Sequence, residues 1–125
     1  MVWLMVALGG AAGAVLRYAV GRLAITYLGP STVLGTFLVN VTGSFVLGLF
    51  ITLALERSPF PVNTRLVLMI AVGLLGSYTT FSTFSFESIR LIESGYMMRA
   101  GLSILGNVVL SLGAAYLGVL LGRAL

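Results

Sequence analysis

Two polar stripes run along otherwise apolar segments of the 125-residue sequence. Their members recur every four residues, a spacing that places each set on one face of a helix. They are Thr36, Asn40 and Ser44 in one segment, and Ser103, Asn107 and Ser111 in another. Such amides and hydroxyls can donate hydrogen bonds to an anion, but they can equally bond one membrane helix to the next. The stripes therefore predict either a polar path for an ion or polar contacts between helices.

A third polar element mixes aromatic and hydroxyl side chains over residues 78–85, YTTFSTFS. Phe81 and Phe84 are three residues apart and share a helical face, with Ser82 and Thr83 between them. An aromatic ring is negative on its face and positive at its edge, so two ring edges in a narrow pore stabilise an anion without a fixed charge. A phenylalanine pair at this spacing is also typical of ordinary packing. The surrounding hydroxyls favour a wet lining over a dry core.

The composition places the chain in a membrane. Of its residues, 59% are hydrophobic and 8% are charged, and the mean hydropathy is +1.14. A soluble domain of this size needs more polar surface. The sequence predicts an all-α membrane protein, a single domain over residues 1–125. Its four transmembrane helices, each long enough to cross the hydrocarbon core, cover approximately residues 2–25, 32–55, 63–93 and 97–123.

The absence of cysteine and histidine excludes disulfides, thiolate chemistry and most transition-metal sites. No nucleotide-binding motif is present, and we predict that the protein is not an enzyme. All seven basic residues are arginines, spread singly near segment ends. This distribution argues against nucleic acid as a partner and is typical of anchors at the lipid interface.

The third apolar segment is too long for one straight crossing, since about 30 residues at 1.5 Å each reach about 45 Å. Its middle, residues 76–80, is rich in glycine and hydroxyl residues, which are weak helix formers. We predict a helix broken mid-membrane near residues 76–80. Broken helices of this kind often mark ion sites. The alternative is an overlong, kinked helix.

Arginines are divided almost evenly between the two ends of the four predicted helices. One end carries Arg57, Arg65 and Arg123, and the other carries Arg17, Arg22, Arg90 and Arg99. The positive-inside rule needs a bias to select an orientation. A chain without a bias can insert both ways and pair as an antiparallel, dual-topology homodimer. A single dominant arginine would instead fix one orientation.

Three long motifs resemble the Fluc (CrcB) family of fluoride channels. They are residues 9–18, GGAAGAVLRY, residues 35–45, GTFLVNVTGSF, and residues 73–84, GLLGSYTTFSTF. The resemblance runs through nearly the whole chain. It implies a dual-topology antiparallel homodimer with two fluoride pores and a central structural sodium ion (Na⁺).

The resemblance also assigns roles to individual residues. It implies that backbone carbonyls of Gly76 and Thr79 hold the sodium ion, and that Arg17 and Glu87 lie at the pore ends. The residues expected to line the fluoride pore are Asn40, Phe81, Ser82, Thr83, Phe84, Asn107 and Ser111. Ser103 departs from the family, which often has a tyrosine there, so it is expected near a pore end without a defined role.

Two other functions compete with a passive fluoride channel in the bacterial inner membrane. A small multidrug exporter also has four helices, but it exchanges protons through a carboxylate in helix 1, and helix 1 here has none. A non-transporting assembly subunit would dimerise without conducting. The residues alone do not select fluoride over chloride; the family resemblance does.

Overall fold

Four long apolar helices make up almost the entire chain. The computed structural model describes residues 1–59 and 61–125, so Phe60, between the second and third predicted spans, lies outside the described residues. The helices are span 1 (Val2–Leu28), span 2 (Leu34–Arg57), span 3 (Thr64–Glu93) and span 4 (Met97–Ala124), each long and apolar enough to cross a membrane. The prediction of an all-helical chain with four membrane-spanning helices is confirmed.

Two of the turns between spans depend on glycine. Gly29, after span 1, has φ 98°, and Gly95, after span 3, has φ 80°, values that side chains with a Cβ rarely adopt. At the second turn the amide of Gly95 donates to Ile92 O at 3.0 Å and that of Tyr96 donates to Leu91 O at 2.9 Å. This is the Schellman pattern of helix ends. Span 1 was expected to end near residue 25, and it continues until Gly29 can reverse the chain.

Three of the spans contain stretches of wider, π-helical turns. They cover Thr52–Arg57 in span 2, Leu68–Leu75 in span 3 and Gly106–Leu110 in span 4. A π-helical turn shifts the angular position of the residues that follow it, and such turns frequently occur at functional sites. The third stretch contains Asn107, a member of the predicted polar stripe.

Glycines allow the spans to pack at backbone distance. A Cβ on Gly13 of span 1 would collide with the carbonyl oxygen of Leu74 in span 3, and one on Gly118 of span 4 would collide with that of Phe45 in span 2. Small residues at helix crossings are the usual means of close packing where lipid supplies no hydrophobic driving force. They bring span 1 against span 3 and span 4 against span 2.

Span 3 contains two consecutive residues with extended backbone, Thr79 (φ −79°, ψ 159°) and Thr80 (φ −153°, ψ 115°). We call them the extended pair. They follow the helical turn Gly76–Tyr78 and precede the helix Phe81–Glu93. The Thr80 hydroxyl caps that helix by accepting from the amide of Thr83 at 3.2 Å, as a threonine at an N-cap does.

The glycine packing predicts that Gly13→Ala destabilises the protein. Its methyl group would meet the Leu74 carbonyl and the amide nitrogen of Tyr78, at 3.0 Å, and overpacking of this kind costs about 1–3 kcal/mol. Gly113→Ala is the control, because no heavy atom lies within 4 Å of its added Cβ. The measurement is the midpoint of thermal unfolding in detergent. Equal midpoints for the two variants would contradict the packing argument.

Candidate functional site

The side-chain amide of Asn40, in span 2, is bonded to the extended pair. Its Oδ1 accepts from the Thr80 backbone amide at 2.8 Å, and its Nδ2 donates to the Thr80 carbonyl at 3.1 Å. The amide thus pairs with both backbone groups of Thr80, as a neighbouring β-strand would. Nδ2 also donates to Asn107 Oδ1 at 2.9 Å. Both Nδ2 hydrogens are therefore used, and Asn40 joins span 3 to span 4.

The polar stripe of span 4, formed by Ser103, Asn107 and Ser111, leaves two hydrogen-bond donors free for a ligand. Asn107 Nδ2 donates one hydrogen to the Ser103 carbonyl at 2.9 Å, and its second hydrogen remains. The Ser111 hydroxyl oxygen is buried and has no hydrogen-bond partner among the described residues. A buried polar group of this kind requires an explanation.

Asn107 and Ser111 face a cavity of about 340 Å³, which we call the inner cavity. Phe81 and Phe84 line it too, with ring centroids 5.4 Å apart and ring planes at 70°. In this arrangement the edge of one ring points at the face of the other. Phe84 is only 7% exposed, whereas Phe81 is 76% exposed. The remaining polar residues that line the inner cavity are Asn40, Ser44, Thr79 and Thr80.

A second cavity of about 340 Å³, the outer cavity, lies between span 1 and the start of span 2. Its charged and hydroxyl residues are Arg17, Tyr18, Arg22, Thr36, Thr80, Thr83 and Glu87. Thr36 donates through Oγ1 to Glu87 Oε1 at 2.8 Å. Thr80 lines both cavities. Polar side chains therefore line both cavities, from Arg17 and Arg22 in the outer cavity to the phenylalanine pair in the inner cavity.

Three of the predicted site residues line neither cavity: Gly76, Ser82 and Ser103. Ser82 is exposed, and its hydroxyl is 3.4 Å from that of Thr80. Ser103 lines a separate groove between spans 2 and 4. Thr80 and Arg22, in contrast, line the cavities and were not among the predicted site residues. The hydroxyl-rich run that contains Thr80 was a signal for it, but nothing in the sequence set Thr80 apart from its neighbours.

The carbonyls of Gly76 and Thr79 fit a bound monovalent cation. In a continuous helix they would accept from the amides of Thr80 and Thr83, four residues on. Those amides donate instead to Asn40 Oδ1 and Thr80 Oγ1. Carbonyl oxygens released in this way at an unwound stretch are known ligands for Na⁺. In the described part of the chain no group of three acidic, histidine or cysteine residues offers an alternative metal site.

Comparison with known proteins shows the family. The profile of the CrcB-like proteins (camphor resistance, CrcB) matches residues 4–119. The chain belongs to the CrcB family. The resemblance seen in the three sequence motifs is thereby confirmed.

Relatives match the CrcB-family chain over nearly its whole length. One from Rhizobium etli is 43% identical over 122 residues, covering 98% of this chain and 96% of its own. One from Coxiella burnetii is 42% identical and covers 98% of both chains. One from Nitrobacter winogradskyi is 45% identical and covers 98% of this chain and 95% of its own. All three are named fluoride-specific ion channel FluC.

The bonds of Asn40 predict that Asn40→Asp destabilises the protein. The carboxyl group can still accept from the Thr80 amide, but it cannot make both donations, to Thr80 O and to Asn107 Oδ1. Buried acceptors left without donors cost about 1–3 kcal/mol. The measurement is the free energy of unfolding in detergent.

Asn63→Asp is the matched control for this substitution. Among the described residues the Asn63 side chain makes one hydrogen bond, through Oδ1, which accepts from the Leu66 amide at 3.3 Å, and aspartate caps a helix equally well. We expect a change of no more than about 0.5 kcal/mol for this variant. If the two variants lost the same stability, the bridging role of Asn40 would be wrong.

Proposed function

We propose that this CrcB-family chain is a fluoride channel and that it conducts passively. The observation that carries the proposal is the match to proteins named fluoride-specific ion channel FluC, 42–45% identical over nearly the full length. The structure supports it with cavities whose linings suit an anion. A small ion that leaves water needs replacement donors, because the ideal cost of moving even a carboxylate-sized ion into a low dielectric is about 20 kcal/mol.

The proposed route runs from the outer cavity to the inner cavity. Arg17 and Arg22 provide a positive entrance, and Thr83 and Thr80 provide hydroxyls beyond it. Thr80 borders both cavities, so an anion passes it between them. In the inner cavity the Ser111 hydroxyl and the second Nδ2 hydrogen of Asn107 replace water. The amide of Asn40 is occupied by Thr80 and Asn107, so its role here is to hold these donors in place.

The phenylalanine pair supplies the remaining stabilisation through its ring edges. Phe84 is buried at the inner cavity, and Phe81, on the same helical turn, is 76% exposed. The Phe81 ring lines the polar inner cavity, yet most of its surface is left uncovered by this chain. We propose that a second, inverted copy covers it and completes the pore. An antiparallel homodimer built in this way has two equivalent pores, related by a two-fold axis in the membrane plane.

The near balance of arginines between the two ends supports this dual topology. The extended pair then lies near mid-membrane, where non-helical backbone is tolerated only inside protein or beside a water-filled cavity. A structural Na⁺, held by the carbonyls of Gly76 and Thr79, would supply a positive charge there and join the two copies. By composition and family the chain is a multi-pass membrane protein, and we place it in the bacterial inner membrane.

Passive conduction is favoured over proton-coupled export. The exporter needs a carboxylate inside span 1, where this sequence has none. Span 2 carries Glu56 at its end, in a bidentate bond to Arg123 with distances of 2.9 and 3.2 Å. A carboxylate held in that way is a poor proton carrier. An exporter would also confer resistance to quaternary ammonium compounds on cells, and the channel would not.

Phe81→Ile and Phe84→Ile test the pore. In liposomes loaded with fluoride, we expect each variant to slow efflux by at least about tenfold, because losing roughly 1.4 kcal/mol at the barrier slows passage tenfold. A fluoride electrode measures the rate, and chloride efflux measured in parallel tests selectivity.

The matched control for the pore variants is Phe86→Ile, which changes a 66% exposed ring on the same helix that lines neither cavity. We expect this variant to conduct like the original chain. Undiminished flux through both pore variants would refute the ring-edge role. Liposomes that stay tight to fluoride with the unaltered chain would refute the channel itself and favour an assembly subunit.

Replacing Na⁺ by N-methyl-D-glucamine tests the cation. A ligand that binds only the folded protein stabilises it by about 2.7 kcal/mol at one hundred times its dissociation constant. We therefore expect the midpoint of thermal unfolding to fall when Na⁺ is removed and to recover when it is restored. Choline chloride at the same ionic strength controls for salt. An unfolding midpoint that is the same with and without Na⁺ would show that the carbonyls of Gly76 and Thr79 hold no such ion.

A further inference from the structure

Two arginines without acidic partners lie together at one end of the spans. Arg90, near the end of span 3, and Arg99, near the start of span 4, line the same cavity of about 410 Å³. In the described part of the chain the only ion pair joins Arg123 to Glu56. The Arg99 guanidinium lies over the ring of Tyr96, 5.5 Å from its centroid. This stacking fixes the guanidinium without neutralising it.

Hydroxyl donors surround these arginines. The cavity, which we call the basic cavity, is also lined by Ser31, Thr32, Ser94 and Tyr96. Its one carboxylate, Glu87, already accepts a hydrogen bond from Thr36 at 2.8 Å. Two guanidinium groups among several hydroxyls match a phosphate, whose oxygens accept hydrogen bonds from both. The site lies at the ends of spans 1 to 4, the level of lipid headgroups in a membrane.

An apolar groove of about 590 Å³ continues from the basic cavity between spans 2 and 4. Arg99 lines both. On span 4 the groove is lined by Leu102, Gly106 and Leu110, which recur every four residues and share one face, and by Ser103 and Leu105 beside them. Leu102 is 64% exposed and Leu110 is 51% exposed. Val108 and Leu112 line the inner cavity from a different face of the same span, so the groove is separate from the proposed pore.

We propose that the basic cavity and this groove bind one anionic phospholipid per chain. The phosphate lies between Arg90 and Arg99, and one acyl chain lies in the groove over Gly106. Basic pockets between membrane helices are typical sites for anionic headgroups. The cavity is basic and the groove is apolar, and Arg99 lines both. A phospholipid likewise carries its anionic phosphate next to its apolar acyl chains. The proposal rests on the membrane-spanning fold and not on fluoride transport.

A second copy of the chain is a poorer occupant. In an antiparallel pair it would bring its opposite end to this membrane surface, and that end carries Arg57, Arg65 and the Arg123–Glu56 pair. Its arginines would repel Arg90 and Arg99, and its only glutamate there is already engaged. A lipid phosphate brings the missing negative charge.

Native mass spectrometry of the detergent-solubilised full chain tests the site. The probes are phosphatidylglycerol and phosphatidylcholine with identical palmitoyl and oleoyl chains. We expect more phosphatidylglycerol bound per chain, and we expect R90Q/R99Q to weaken it by on the order of tenfold, since each arginine near an anionic headgroup contributes severalfold. R57Q/R65Q, the same change of charge at the other end, is the control and should bind like the original chain.

A second variant tests the groove while retaining both arginines. Leu102→Trp fills the groove at a position that already tolerates exposure, and it should weaken binding of both lipids by severalfold. Equal binding of the two lipids, or equal losses in the two arginine pairs, would overturn the proposal. So would a disulfide between two copies of Leu102→Cys, because it would show that the groove is covered by protein. Fluoride efflux through R90Q/R99Q is measured separately, so that a loss of lipid binding is distinguished from a loss of channel activity.

Discussion

A membrane leaves no water to satisfy a backbone that departs from the helix, and this constraint governs the centre of the protein. Thr79 and Thr80 are extended, so amides and carbonyls on both sides of them lose their helical partners. Asn40 replaces the lost bonds of Thr80 with a side-chain amide, which offers the same donor and acceptor as a peptide group. The Thr80 hydroxyl does the same for the Thr83 amide. The carbonyls of Gly76 and Thr79 are left without the amides of Thr80 and Thr83, which would pair with them in a continuous helix.

Close helix packing brings this replacement within reach. A side-chain amide is short, so Asn40 can bond Thr80 and Asn107 at 2.8–3.1 Å only where three spans meet. Glycines at the crossings permit that approach. Gly48 of span 2 and Gly118 of span 4 lie against the backbone of the facing span with no room for a methyl group. The hydrogen bonds of Asn40 thus depend on the close packing that the glycines permit.

Charged side chains and uncharged polar side chains occupy different parts of the molecule. Most arginines stand near the span ends and none lines the inner cavity, which holds amides, hydroxyls and two aromatic rings. An arginine side chain in the inner cavity would bind a small anion too tightly to release it, because conduction needs sites that the ion can leave. In the proposed pore, neutral donors and ring edges would attract the anion less strongly. The same separation leaves Arg90 and Arg99 at the membrane surface, where lipid phosphates are abundant.

The sequence by itself determined the four spans, because a run of about 20 apolar residues has one stable form in lipid. Its three motifs also determined the family, and its spacing set Phe81 and Phe84 on one face. Only the tertiary structure decided which polar groups remain free. Asn40 was predicted as a donor to the anion, and packing uses both its side-chain hydrogens internally, while the Ser111 hydroxyl has no partner among the described residues. Spacing within a helix fixes the face on which a side chain lies, but the partners it meets come from other helices, whose approach depends on the whole packed bundle.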